Sequence, residues 1–185
     1  MKKEKNALYI LRLAVTLLAI CAAVALALAG VNAITKDRIA AIQAEKTQKA
    51  IAEVLPGVTD VEEIAFTDES GLVSTVYKSD LGYAVEVTPT SGFTGAIKMM
   101  VGVSHDGKVL GVSIISHAET AGLGAVAGAS SAKGQAFRDS FLGLTAPVSP
   151  NKDGGQADTI TGATITSRAI CDGVNAALAC VENLG

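Results

Sequence analysis

The chain is poor in aromatic residues, 4% of 185 with no tryptophan, and so lacks the stacking platforms that a single-strand nucleic-acid binder needs. Cysteine and histidine are equally scarce. Cys21, Cys171 and Cys180 form no CxxC pair, and His105 and His117 do not cluster with them, so no metal site is expected. Positive charge thins out beyond the N-terminus. Lys2, Lys3, Lys5, Arg12 and Lys36 oppose only Glu4 in the first 36 residues, whereas residues 37–185 carry ten basic and seventeen acidic side chains. That balance disfavours a phosphate backbone, and no nucleic-acid partner is expected. No Gly-Lys-Ser/Thr follows a glycine-rich loop, and no Gly-x-Ser-x-Gly occurs. Nucleotide hydrolysis and serine hydrolysis therefore have no motif to rest on, and the lone Gly122/Gly124 pair is too little for a dinucleotide fingerprint.

Apolar residues, by contrast, make up 49% of the chain, and the mean hydropathy is +0.41. Much of this lies between Leu13 and Thr35, 23 consecutive residues without a formal charge. As a helix rising about 1.5 Å per residue they would extend roughly 35 Å, enough to cross a hydrocarbon core of about 30 Å. The rival is a cleaved signal peptide, for which Ala27-Leu28-Ala29 offers a small-residue site after a basic start. The run is longer than a typical signal core and continues past that site, which favours an anchor. Basic residues flank the span on both sides, with Lys36, Arg38, Lys46 and Lys49 balancing the N-terminal group, so charge alone does not orient it.

Ile39, Ile42, Ile51, Val54 and Leu55 mark an amphipathic helix over 37–55, stopped by Pro56-Gly57 and read as a stalk. Residues 58–80 are acidic and mixed, and read as solvated surface. Strands are expected over Gly82–Thr88, Ala96–Ser104 and Val109–Ser116, the last two joined by an Asp106-Gly107 hairpin turn with His105 exposed beside it. A short helix over Lys133–Leu142 and a closing helix over Ser167–Leu184, with Cys171 and Cys180 buried in it, complete the pattern. The expected fold is α+β: a transmembrane helix, then a domain of antiparallel strands with a C-terminal helix. The segments are residues 1–12 as a cytoplasmic N-terminus, 13–35 as the span, 36–57 as the stalk and 58–185 as the extracytoplasmic domain.

Two stretches hold more glycine and hydroxyl groups than a connection requires: His117-Ala-Glu-Thr-Ala-Gly-Leu-Gly124 and Asp158-Thr-Ile-Thr-Gly-Ala-Thr-Ile-Thr-Ser167. The second opens onto a helix whose free N–H groups and positive dipole end would suit a phosphate. Simple capping by Thr166 or Ser167 is the alternative.

Asp158-Thr-Ile-Thr-Gly-Ala-Thr164 closely resembles the Asp-x-x-(Ser/Thr)-Gly-Ala-Thr flavinylation motif of FMN-binding domains, in which the last threonine carries FMN through a phosphoester. The upstream stretch resembles the family's Glu-Thr-Pro-Gly-Leu-Gly segment, with Ala121 in place of Pro. The basic start, the single span ending Val31-Asn-Ala-Ile-Thr35 and the Gly-Tyr-x-Val-Glu-Val-Thr-Pro strand extend the resemblance over nearly the whole chain. Together they resemble the G subunits of Rnf complexes, membrane-bound ferredoxin:NAD oxidoreductases coupled to sodium or proton translocation. The C subunit of sodium-translocating NADH:quinone reductase, usually longer, is a sister. The resemblance implies FMN on Thr164, attached by a flavin transferase, and membrane and iron–sulfur subunits as partners. It also implies N-terminus-in orientation in the inner membrane and a redox relay rather than a free enzyme, with no catalytic acid or base. Thr161, Gly162 and Ala163 would keep the acceptor turn slim, Thr166 would lie at the cofactor, and Asp158 would orient the acceptor or assist the transferase. Glu119, Thr120, Gly122, Leu123 and Gly124 would line the flavin ring, although a satisfied loop carboxylate is the plain alternative for Glu119. A stand-alone surface flavoprotein and a non-redox anchored domain are the other two readings.

Overall fold

The structure is a computed structural model describing residues 2–58 and 60–184; Met1, Thr59 and Gly185, which fall within the expected segments, lie outside the described residues. Two compact units emerge, Met1–Glu45 and Lys46–Gly185. The first consists of α1, a helix over Lys2–Val54 whose last residues belong to the second unit. Leu18, Leu26 and Ile34 are 69, 74 and 81% exposed. Such a continuous apolar surface is stable against lipid rather than water. Thr16 and Thr35 turn their hydroxyls back onto the carbonyls of Arg12 and Val31 at 2.8 and 2.9 Å, which hides both donors within the helix.

The second unit is α+β, as expected. Its five strands are β1 (Glu62–Ile64), β2 (Val73–Ser79), β3 (Gly82–Val87), β4 (Lys98–Ser104) and β5 (Val109–Ser116), an antiparallel meander in sequence order. After β5 come a 3₁₀ turn (Gly124–Gly128), α2 (Ala132–Asp139), a second 3₁₀ turn (Asn151–Asp153) and α3 (Thr164–Glu182). One sheet face, with Val76, Val85, Val87, Met99, Val101 and Val103, packs on Ala169, Ile170, Val174, Ala177 and Leu178 of α3 in the main core. Cys171 and Cys180 are buried free thiols on the same helix; burial, with Asp172 and Asp153 nearby, pushes Cys171 up to about 12.

The opposite face receives the end of α1 through Ala50, Ile51, Val54 and Leu55, which meet Ala84 and Met100. Gly102 and Gly111 are direct cross-strand partners, and a Cβ on either would run into Val54. This glycine pair is a notch cut for the helix. The Ser113 hydroxyl then donates to Glu53 at 2.6 Å beside it.

Two expectations need correction. Residues 58–80 are not merely solvated surface, since they supply β1 and β2. A bulge between Val73 and Thr75 breaks the two-residue alternation that would mark β2 in the sequence. Asp68 there accepts from the N–H groups of Ser70 and Val73, both at 2.9 Å, in a local turn. The closing helix, in turn, begins at Thr164 and not at Ser167. Thr164, Ile165 and Thr166 are β-branched and poor helix formers, but contacts described below override that propensity. The hairpin after β4 forms as read, with Gly107 at φ +71° and an exposed His105 edge-on to Tyr83 at 5.3 Å. Helix α2 carries Phe137, whose ring meets Phe141 edge-on at 5.3 Å.

Candidate functional site

The two glycine-rich stretches fold into two matching β-turns. In one, Leu123 N–H donates to Thr120 O at 3.1 Å and Gly122 holds φ +77°; in the other, Ala163 N–H donates to Ile160 O at 2.9 Å and Gly162 holds φ +81°. Positive φ at the third residue is what glycine supplies without steric cost, and the second position, where Ala121 sits, is the one that favours proline. A Cβ on Gly162 would press on Leu123 Cδ2 at 3.0 Å, so the turns meet where side chains are smallest.

Between them and the start of α3 lies a cavity of about 320 Å³. It brings together Glu119, Thr120, Leu123, Gly124, Gly162, Ala163, Thr164 and Thr166 of the expected residues, and adds Phe93 and Ile165. Phe93, Leu123 and Ile165 are 65, 43 and 47% exposed and give it an apolar rim. Gly122, Thr161 and Asp158 fall instead in a neighbouring depression of about 290 Å³, with Lys133 and Phe137. Asp158 is an exposed residue whose carboxylate accepts from Asn151 Nδ2 at 3.3 Å.

Glu119 is buried, and both of its oxygens are used by the protein. Oε1 accepts from the N–H and hydroxyl of Thr94 at 3.0 and 3.1 Å, and Oε2 accepts from the Thr166 hydroxyl at 2.6 Å. Burial pushes its pKa up, but the bonds from Thr166 and Thr94, with the His117 charge, outweigh this and hold it below the usual value. The carboxylate thus ties the β3–β4 loop, its own loop and α3 together. A Cβ on Gly124 would collide with Glu119 Oε2 and Thr166 Oγ1, which is why the second glycine of Gly-Leu-Gly sits there.

The first turn of α3 is stitched from outside. Ser167 Oγ donates to Ala163 O at 3.1 Å and accepts from Ile160 N–H at 3.0 Å. Neither Thr166 nor Ser167 is the N-cap; that residue is Ala163, with no side-chain cap bond. The helix therefore starts with Thr164 half-buried at an end that no side chain caps. Its hydroxyl has Lys152 Nζ at 3.4 Å, a neighbour sequence reasoning missed, as it missed Phe93 and Thr94. Phe93 and Thr94 reach the site from a loop distant in sequence and Lys152 from the loop just before the motif, and no local pattern marks them.

An apolar-rimmed cleft, an uncapped helix start and two turns slimmed by glycine suit a phosphate-bearing planar ring. This is the architecture of a helix-anchored flavin-binding domain. Residues 92–179 match the FMN-binding domain family, and residues 1–54 match the RnfG N-terminal region. The chain is 33% identical over 198 residues to the G subunit of the Na⁺-translocating ferredoxin:NAD⁺ oxidoreductase complex of Acetobacterium woodii, covering 95% of this chain and 93% of that protein. The G subunit of the ion-translocating oxidoreductase complex of Methanosarcina acetivorans is 33% identical over 180 residues, or 91 and 93% of the two chains. Over 89 residues, 48% of each chain, the G subunit of the proton-translocating ferredoxin:NAD⁺ oxidoreductase complex of Clostridium ljungdahlii is 43% identical. The chain belongs to the RnfG family, the G subunits of Rnf complexes. It is a membrane-anchored protein with an FMN-binding domain, and its cofactor is FMN.

Proposed function

We propose that this chain is the flavoprotein subunit of an Rnf-type ion-translocating oxidoreductase, holding FMN as a phosphoester on Thr164 and relaying electrons between other redox subunits of the complex. The observation that carries this reading is the position of Thr164: first residue of an uncapped helix, at the edge of an apolar-rimmed cavity. FMN, when bound, supplies reversible electron uptake and release. The residues supply the seat. The free N–H groups and dipole at the start of α3 favour a phosphate on the Thr164 side chain. Phe93, Leu123 and Ile165 give a flat ring apolar surface, and Gly124 and Gly162 keep backbone close to it, while Gly122 shapes the turn beside it. Glu119 and Thr166 hold the walls in register, while Asp158 and Thr161, on the far side of the acceptor turn, are open to a flavin transferase. No acid or base is required for electron transfer, only position and a tuned environment. The domain lies on the extracytoplasmic side, where a covalent bond keeps a cofactor that could not readily be replaced. Residues 13–35 span the membrane, residues 1–12 are cytoplasmic, and the stalk expected over 36–57 merges from Lys46 into the unit that holds the flavin, with sodium or proton translocation carried out by the whole assembly and its membrane and iron–sulfur subunits.

The test is intact mass and in-gel flavin fluorescence of the denatured full chain, expressed with and without a flavin transferase, followed by peptide mapping. A transferase-dependent gain of one FMN less one water on the peptide containing Thr164 is expected. No adduct beside an active transferase and correct export would overturn the covalent reading. Cysteine accessibility at an exposed domain position checks the side of the membrane.

A further inference from the structure

The loop before the motif is built as a brace, and it delivers one cation to the acceptor. Its ends are closed by Asn151 N–H donating to Ala157 O at 2.7 Å and Ala157 N–H donating to Ser149 O at 3.2 Å. Gly154 turns it at φ +84°, and Gly155 lies so near Ser149 that a Cβ would collide with its backbone. The Thr159 hydroxyl donates to Asn151 Oδ1 at 2.7 Å, and Asn151 Nδ2 donates to Asp158 Oδ1 at 3.3 Å, which pins the brace to the motif itself. Asp153 then takes a two-pronged bond from Arg168 Nε and a terminal nitrogen, both at 2.7 Å.

Thr164 and Arg168 are one turn apart on α3, so consecutive brace residues meet successive positions of one helix face: Lys152 at Thr164, Asp153 at Arg168. Arg168 and Asp153 neutralise each other. Among the described residues, no carboxylate lies within ion-pair distance of Lys152, whose Nζ rests 3.4 Å from Thr164 Oγ1. The Lys152 ammonium also acts on Asp153 through space, yet among the described residues its hydrogen bond goes to this hydroxyl, where a phosphodiester would bring one negative charge.

We propose that Lys152 is the phosphate-binding residue of this site, pairing with the charged free oxygen of the phosphodiester on Thr164 during attachment and afterwards. The proposal rests on the reading of Thr164 as acceptor. In attachment to a flavin dinucleotide donor, Thr164 Oγ bonds to the flavin-side phosphorus and the pyrophosphate P–O bond breaks. AMP leaves with the bridging oxygen, the hydroxyl proton passes to a base of the transferase, and no electrons move. The Lys152 ammonium faces the negative charge throughout, as a mobile point charge on a fixed loop.

The experiment follows covalent fluorescence against time in the full chain, in membranes containing an active flavin transferase, for wild type, Lys152→Met and Lys152→Arg. Labelling of Lys152→Met is expected to be about tenfold slower, the loss of roughly one charged contact at the reacting phosphate, and Lys152→Arg is expected to recover most of the rate. A second readout is the ³¹P resonance of the attached phosphodiester, expected to shift in Lys152→Met and return in Lys152→Arg. Wild-type labelling rate and an unmoved resonance in Lys152→Met would overturn the proposal, and so would equal slowing in both variants, which would trace the defect to the brace. An unlabelled wild type would instead refute the Thr164 reading itself, and this proposal with it.

Discussion

The inner and outer sides of the first turn of α3 hold the same side chain in opposite circumstances. On the inner side Thr166 is 1% exposed and gives its hydroxyl to a buried carboxylate at 2.6 Å. On the outer side Thr164, two residues earlier, is half-buried, and among the described residues its hydroxyl bonds only to a lysine, at 3.4 Å. Ser167, the third hydroxyl of the segment, is fully buried and bonded to Ile160 and Ala163. Sequence chemistry cannot rank these three as nucleophiles, because each is an ordinary alcohol. Their bonding can, for two of them hold the fold together and one does not.

Breaking this comparison at its outer side gives the largest expected effect on function. Thr164→Val removes the proposed acceptor, so covalent fluorescence on denatured gels should fall to background. The unfolding midpoint should barely move, since the change costs within about 0.5 kcal/mol at a hydroxyl whose bond to Lys152 is long and exposed. A fully labelled Thr164→Val protein would move the site to a neighbouring hydroxyl. On the inner side the balance reverses. Glu119→Ala leaves the Thr166 hydroxyl and the Thr94 N–H without their partner and opens the junction of three segments. Chemical denaturation should report a loss of about 2–4 kcal/mol. Thr166→Val should cost less, about 1–3 kcal/mol, because Oε1 keeps both bonds from Thr94, and Thr164 should still become labelled.

These contrasts also explain what can be read from the sequence. The two turns are legible because Gly122 and Gly162 stand where a positive φ leaves little choice of residue, and β5 is legible because Val109–Ser116 follows an Asp-Gly turn. The long apolar helix is legible from length and composition alone. Local pattern starts helix α3 three residues late, since three β-branched residues argue for anything but a helix. What holds Thr166 is Glu119, 47 residues away. β2 is hidden by its bulge. Lys152 and Phe93 carry no local signal at all: one depends on a brace closed by Asn151 and Gly155, the other on where the β3–β4 loop comes to rest. Propensity and periodicity describe a chain's neighbours in sequence, and the site is assembled from neighbours in space.

The smallest expected effect sharpens the inner side further and concerns pH. Glu119 has a folded pKa below its ordinary value of 4.5, with the upward push of burial outweighed by the bonds from Thr166 and Thr94 and by the His117 charge. A carboxyl whose folded value is depressed contributes stability that is fully present above its unfolded value and is lost as pH falls through the folded one. The contribution should therefore be constant from neutral pH down to about 5 and decline below about 4.5. Asp68 and Asp153 are shifted in the same direction and would obscure this in the wild type alone. The informative quantity is the stability difference between wild type and Glu119→Gln, which keeps the shape of the side chain and removes its titration. That difference should shrink steadily below about pH 4.5 as the wild-type carboxyl gains its proton and comes to resemble the amide. A difference that stays flat into acid would mean that shape, and not charge, makes Glu119 the tie between the two threonines.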